Sequence, residues 1–144
     1  MATWLLLIYK MPRDPSAPRV HIWRKLKQLG AVMLQDAVWV LPATAWTREQ
    51  FQWLAAEIAE TPGEALLWEA AVLPPTQESR LIAQFTAAIE GRYQALLTAL
   101  QQPAANLPLL AVQYQHLQRQ DYFHIPLGPQ VRAALLAARE GATA

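Results

Sequence analysis

Ala31-Val32-Met33-Leu34-Gln35-Asp36-Ala37-Val38-Trp39-Val40-Leu41 decides the fold. Two β-prone runs, 31–34 and 37–41, flank the polar pair Gln35-Asp36, which is the pattern of an antiparallel hairpin. Gln-Asp is not the Asn-Gly type of turn signal, so the hairpin rests on the runs beside it. Pro42 closes the second run, because proline has no amide to continue a ladder.

Moving outward toward the N-terminus, Gly30 ends a helix that runs to about Leu29, since glycine accepts the left-handed conformation of a C-terminal cap. Ser16 is placed to cap its start, and Pro18 falls in the first turn, where a missing N–H costs nothing. Val20, Trp23, Leu26 and Leu29 recur every three residues and read as the inward stripe, with Arg19, Arg24, Lys25 and Lys27 largely off it. Three prolines in Met11–Pro18 forbid regular structure before the helix. The apolar run over residues 3–9 reads as a first strand buried on both faces.

Moving toward the C-terminus, Thr47-Arg48-Glu49-Gln50 has the form of a capping box, followed by Phe51, Leu54, Ala55 and Ile58 at helical spacing. Pro62-Gly63 breaks that helix, and Ala65–Val72 reads as a fourth strand. The order strand–helix–strand–strand–helix–strand predicts an α+β, ferredoxin-like βαββαβ antiparallel sheet with two helices on one face, over residues 1–75.

Residues 76–144 read as a C-terminal helical extension packed on or beside that domain. Thr76 caps a helix over about 77–102, with Leu81, Ile82, Phe85, Ile89, Tyr93, Leu96, Leu97 and Leu100 at helical spacing, and Pro103 ends it. A second helix over 107–120 carries Leu110, Tyr114 and Leu117. In the loop 121–128, Asp121 is expected to cap backbone amides while its aromatic neighbours pack. Pro129 opens a last helix ending near Arg139, and the tail 141–144 is expected to fray.

The chain has 144 residues, 53% of them hydrophobic and six of them tryptophan, which suffices for a core without metal or disulfide support. Zero cysteines exclude disulfides, cysteine-ligated zinc, iron–sulfur centres and thiol redox sensing. The run Trp4–Tyr9 lacks a basic flank and a small-residue cleavage site, so it does not read as a signal peptide. No uncharged apolar stretch is long enough for a transmembrane helix. A cytoplasmic protein, away from the membrane, is therefore expected.

The net charge of +1 conceals an asymmetry. Residues 1–30 carry +5, from Lys10, Arg13, Arg19, Arg24, Lys25 and Lys27 against Asp14, and the remainder carries −4. This predicts one face that favours anions. Arg13, Arg19, Arg24, Lys25 and Lys27 are the candidate DNA- or anion-binding residues; a solvated helix face is the plain alternative. Contacts to DNA phosphates would give salt-sensitive binding without base preference. For a tetrahedral oxyanion, Arg13 and Arg19 flank a turn at a helix N-terminus and can present paired donors.

Catalytic and metal chemistry find little support. His21, His116 and His124 have no partner at ligand spacing, and no serine or threonine sits in a nucleophile elbow. No cofactor is implied. Trp4, Trp39 and Trp68 fall in predicted strands, so alternation sends some of them away from the helices, where the C-terminal helices or a second subunit must cover them.

Three ordered blocks, Trp4–Lys10, Trp23–Ala31 and Val38–Pro42, resemble the opening of the ChrB N-terminal family of chromate-resistance regulators. Trp53–Ile58, Gly63–Ala65 and Arg119–Phe123 continue the resemblance across almost the whole chain. It implies a cytoplasmic, non-enzymatic regulator of a chromate-efflux operon that responds to chromate. It also implies a ferredoxin-like module similar to those of PaaX-type repressors and of a small CRISPR-associated endonuclease, modules that pair as homodimers. Members usually carry a second domain after this one. A nuclease reading is disfavoured, because the position matching that endonuclease's metal-binding aspartate is Lys10, a cation; Asp14 and Asp36 read as turn residues.

Overall fold

In a computed structural model describing residues 3–143, the elements run β1 (Trp4–Lys10), α1 (Ala17–Gln28), β2 (Val32–Gln35), β3 (Val38–Pro42), α2 (Ala45–Ala59), β4 (Glu64–Ala70), α3 (Pro75–Leu100), α4 (Leu107–Gln120) and α5 (Leu127–Thr143). The four strands form one antiparallel sheet in the order β2-β3-β1-β4. This is the predicted α+β ferredoxin-like arrangement, followed by a helical C-terminal region. The chain forms two compact units, one through Glu78 and the other from Ser79.

Strand alternation sorts the sheet into two faces. Leu5 and Leu7 of β1 stand beside Leu41 and Trp39 of β3 and beside Glu69 and Leu67 of β4. Arg48 of α2 hydrogen-bonds Glu69, which marks this as the helix-covered face. Leu5, Leu7, Trp39 and Leu41 are buried here with Ile22 and Leu26 of α1 and Phe51, Leu54 and Ile58 of α2. Each such aliphatic side chain contributes about 1.5–3 kcal/mol by leaving water. Trp4, Leu6 and Ile8 alternate onto the other face with Val40 and Trp68. Trp4 and Val40 are buried there, and the Trp4 indole N–H donates to Glu78 at the start of α3. Ile8, Leu66 and Trp68 remain exposed, so β1 is not buried on both faces as its composition suggested.

Local chemistry explains the boundaries. Gly30 sits at φ 75°, the left-handed position expected of it, just beyond the last turn of α1. The hairpin turns at Asp36-Ala37, with Ala37 at φ 63°, one position later than the sequence suggested. The helix that Thr47 was expected to cap begins earlier. Thr44 is the N-cap, its hydroxyl accepts from the Thr47 amide at 3.0 Å, and the Thr47 hydroxyl accepts from the Thr44 amide at 2.8 Å. This reciprocal cap is worth about 1 kcal/mol. The Thr47 hydroxyl also donates to the Pro42 carbonyl at 2.6 Å, tying the start of α2 to the end of β3. At Gly63 a Cβ would lie 2.7 Å from the Lys10 carbonyl oxygen, so only glycine permits this approach.

The helical unit has its own core of Ile89, Tyr93 and Leu96 from α3, Leu110, Tyr114 and Leu117 from α4, and Val131 and Leu135 from α5. Asp121 organises the α4–α5 connection. Its carboxylate accepts from the Tyr93 hydroxyl and from the Ile125 amide, each at 3.1 Å, which is the capping role expected of it. Tyr122 and Phe123 pack edge-on against Phe85. Helix α5 continues past Arg139 to Thr143, so most of the expected frayed tail is helical; Ala144 lies outside the described residues.

Candidate nucleic-acid and anion interface

The five candidate cations divide according to the geometry of α1. Buried Ile22, Leu26 and Leu29 define its inward side, following the four-then-three spacing of a helix. The stripe expected from Val20, Trp23, Leu26 and Leu29 is therefore wrong in its first half: Val20 is 41% and Trp23 48% exposed. A strict three-residue step drifts about 60° per repeat around a helix, so Val20 and Leu29 end on opposite sides.

With the inward side fixed, Arg19, Trp23 and Lys27 form a row at four-residue spacing along one exposed flank. The Lys27 ammonium lies 5.6 Å from the centroid of the Trp23 ring, a cation–π contact that steadies both side chains. Arg24 continues this flank around the helix. Lys25 lies on the opposite flank, where it joins Gln28, Gln50, Trp53 and Glu57 around a cleft of about 280 Å³ between α1 and α2. There His21 meets Glu57 at 2.9 Å. Arg13 is exposed in the bend between β1 and α1.

A second cleft, of about 240 Å³, lies beside the row and is lined by Tyr9, Ser16, Arg19, Val20 and Trp23. The structure brings Arg19, and not Arg13, to this cleft. Ser16 occupies the N-cap position without a side-chain capping bond, so its hydroxyl is not engaged with the helix start. The aromatic members, Trp23 and Tyr9, were missed in the sequence because both were read as core. Trp23 carries a signal that could have found it, since the cations Arg19 and Lys27 flank it at four residues on either side.

Other candidate chemistry is dispersed. Lys10 ends β1 opposite Glu64, Asp14 lies in the bend before α1, and Asp36 lies in the hairpin turn. Among the described residues, no three histidine, aspartate or glutamate side chains converge as a metal site. No described helix is long and apolar enough to cross a membrane. In the helical unit, a cavity of about 460 Å³ between α3 and α4 is lined by Arg92, Leu96, Val112 and His116, among others. Tyr93 and Tyr122 hold their phenolic protons more tightly than usual, in both cases through burial and for Tyr93 also through the neighbouring Asp121 carboxylate.

The fold and this surface define a class: a ferredoxin-like α+β domain that presents a cationic helix carrying an exposed tryptophan, followed by a helical region. The family model described as "Protein ChrB, N-terminal" matches residues 19–109, and the chain belongs to that family. Protein ChrB of Cupriavidus metallidurans (strain CH34) is 32% identical over 87 residues. That alignment covers 60% of this chain and 27% of the relative, so it spans about a quarter of the relative's length.

Proposed function

We propose that this chain acts as a homodimeric, non-enzymatic regulatory module of a cytoplasmic chromate-response system, and that it meets DNA through the Arg19–Trp23–Lys27 flank of α1. The observation that carries this reading is the exposure of a tryptophan between two cations along one flank of a helix whose inward side is core. An exposed tryptophan of this size is costly in water and is typical of a contact surface. Cations around it supply the counterion release that drives phosphate binding. Membership of the ChrB N-terminal family supports the regulatory context.

The cleft beside the row supports chromate, or a similar oxyanion, as the effector. Arg19 offers a planar fork suited to paired oxygens, and Ser16 offers a hydroxyl. An anion seated there would share Arg19 with DNA, which couples the two ligands negatively. An oxyanion-binding accessory protein that never touches DNA rests on the same cleft.

Titration of the purified protein into its own upstream DNA, with and without chromate and at two salt concentrations, tests the reading. Specific binding that weakens with salt and is released by chromate is the expected result. Chromate binding without any DNA binding favours the accessory protein. Mg²⁺-dependent cleavage of the DNA overturns the non-enzymatic assignment.

A further inference from the structure

The two edges of the sheet are treated differently by the sequence. Edge strand β2 is four residues long and is interrupted by an irregularity between Met33 and Gln35, a feature that blunts an edge against further pairing. The opposite edge, β4, is seven residues long and pairs with β1 in continuous register from Glu64↔Lys10 to Ala70↔Trp4. It contains no proline, no lysine and no bulge. Every other residue of such a strand turns its N–H and C=O away from its partner, so β4 presents an open row of backbone groups. Among the described residues, β4 has no strand on that side. Its apolar side chains Leu66 and Trp68 are 59% and 53% exposed, and Ile8 continues the same patch on β1.

The sequence of β4, Glu64-Ala65-Leu66-Leu67-Trp68-Glu69-Ala70, complements itself when read in reverse. We propose that β4 pairs with β4 of a second copy about a two-fold axis through Leu67, joining the two sheets into one of eight strands. This register sets Leu66 opposite the partner's Trp68, Leu67 opposite the partner's Leu67, Glu64 opposite the partner's Ala70 and Ala65 opposite the partner's Glu69. All seven residues pair, and no like charges stand opposite each other. Centring the pair one residue earlier would put Trp68 opposite a glutamate and leave two residues unpaired. Glu69 keeps its bond to Arg48 on the helix-covered face. A second copy of the chain is thus the occupant whose shape and charge fit this edge, and a two-fold pair makes the interface isologous.

This inference rests on the homodimer reading above and assigns its surface. Sedimentation equilibrium of the full chain should show a dimer. The Leu66→Glu, Trp68→Glu double variant sets glutamate opposite glutamate at both flanking contacts and should weaken the dimer by about tenfold or more. The Leu66→Lys, Trp68→Glu variant sets opposite charges at the same contacts and should retain it. Both side chains are half exposed, so thermal melts of the variants should show an intact fold.

Because the chain has no cysteine, introduced thiols report the register directly. Chains carrying Leu66→Cys and chains carrying Trp68→Cys should cross-link when mixed, and neither should cross-link alone. A wild-type chain that stays monomeric overturns both the edge assignment and the homodimer. A dimer indifferent to the double glutamate variant, or one in which Leu66→Cys chains cross-link to each other, overturns the edge assignment and leaves the homodimer standing.

Discussion

The division of α1 into two flanks makes a quantitative statement about salt. Around the helix axis Arg19 and Lys27 lie about 40° to either side of Trp23 and Arg24 about 100° from it, whereas Lys25 is rotated about 160° from Trp23, toward α2. A duplex lying along the Trp23 flank meets three of these cations. Each phosphate contact contributes about −0.9 to the slope of log K against log salt, so the three together give about −2.7 for each copy of α1 on the duplex. A fourfold rise in salt then weakens binding about 40-fold for each copy engaged. The Arg19→Ala, Lys27→Ala double variant removes two of the three contacts of each copy and should bring the slope to about one third of its wild-type value, whereas Lys25→Ala should leave it unchanged. Fluorescence anisotropy with a labelled duplex, repeated across a salt series, measures each slope. If Lys25→Ala flattens the slope as much as Lys27→Ala does, DNA does not lie on the Trp23 flank and the assignment fails.

Three further outcomes follow from the packing. Leu26→Ala should destabilise the chain by about 2–5 kcal/mol, whereas Trp23→Ala should cost less than about 1 kcal/mol, because only the first residue is buried; urea denaturation followed by circular dichroism compares them. In a double-mutant cycle with Tyr93→Phe and Asp121→Ala, the buried hydroxyl–carboxylate bond should appear as a coupling of about 1.5–3 kcal/mol, and a coupling near zero would show that Asp121 acts only through the Ile125 amide. At alkaline pH the raised pKa values of Tyr93 and Tyr122 mean that the unfolded chain releases its phenolic protons first. Their stabilising contribution is full below the ordinary tyrosine value of 10.0 and is lost as pH climbs from there toward the folded values. Circular dichroism against pH should show helix loss beginning in that range, and Tyr122→Phe should reduce the dependence.

The strand order was legible because each strand is a short apolar run bounded by glycine, proline or a polar pair, and those boundaries are local. Gly30, Pro42 and Pro62-Gly63 mark their turns without help from distant residues. The orientation of α1 was not legible, because its apolar residues fit two stripes. Val20-Trp23-Leu26-Leu29 and Ile22-Leu26-Leu29 share two members, and only packing against the sheet chooses between them. The capping of α2 was misplaced for a related reason. Thr44 and Thr47 are both competent caps, and the bond from Thr47 to the Pro42 carbonyl decides their roles. Among the candidate cations, the basic character of the segment was evident from residue counts. Its separation into a Trp23 flank and a Lys25 flank depends on which side of the helix is buried.

The pairing of β4 has a consequence for how two copies of α1 meet DNA. Helix α2 packs on β1 and β4. Helix α1 lies beside α2, joined to it by the His21–Glu57 contact, on the side away from the β4 edge. A two-fold axis through Leu67, normal to the sheet, therefore leaves both helix layers on the same face of the joined sheet, with each α1 outside its own α2. With strands about 4.8 Å apart, helices lying over the two β3 strands are separated by roughly 24 Å across the sheet. The Trp23 flank of each α1 faces away from its own α2 and adds about a helix radius on each side, which brings the two flanks to roughly 34–36 Å apart, close to the roughly 34 Å of one duplex turn, so they would engage phosphates about one turn apart. Binding by two linked surfaces exceeds binding by one through effective concentration, by about 10²–10⁴-fold. The Leu66→Glu, Trp68→Glu variant alters neither Arg19 nor Lys27, yet it should lose about that factor in DNA affinity and about half the salt slope. A monomeric variant that keeps the wild-type affinity and slope would show that one copy of α1 accounts for all of the binding, and that the paired geometry plays no part in it.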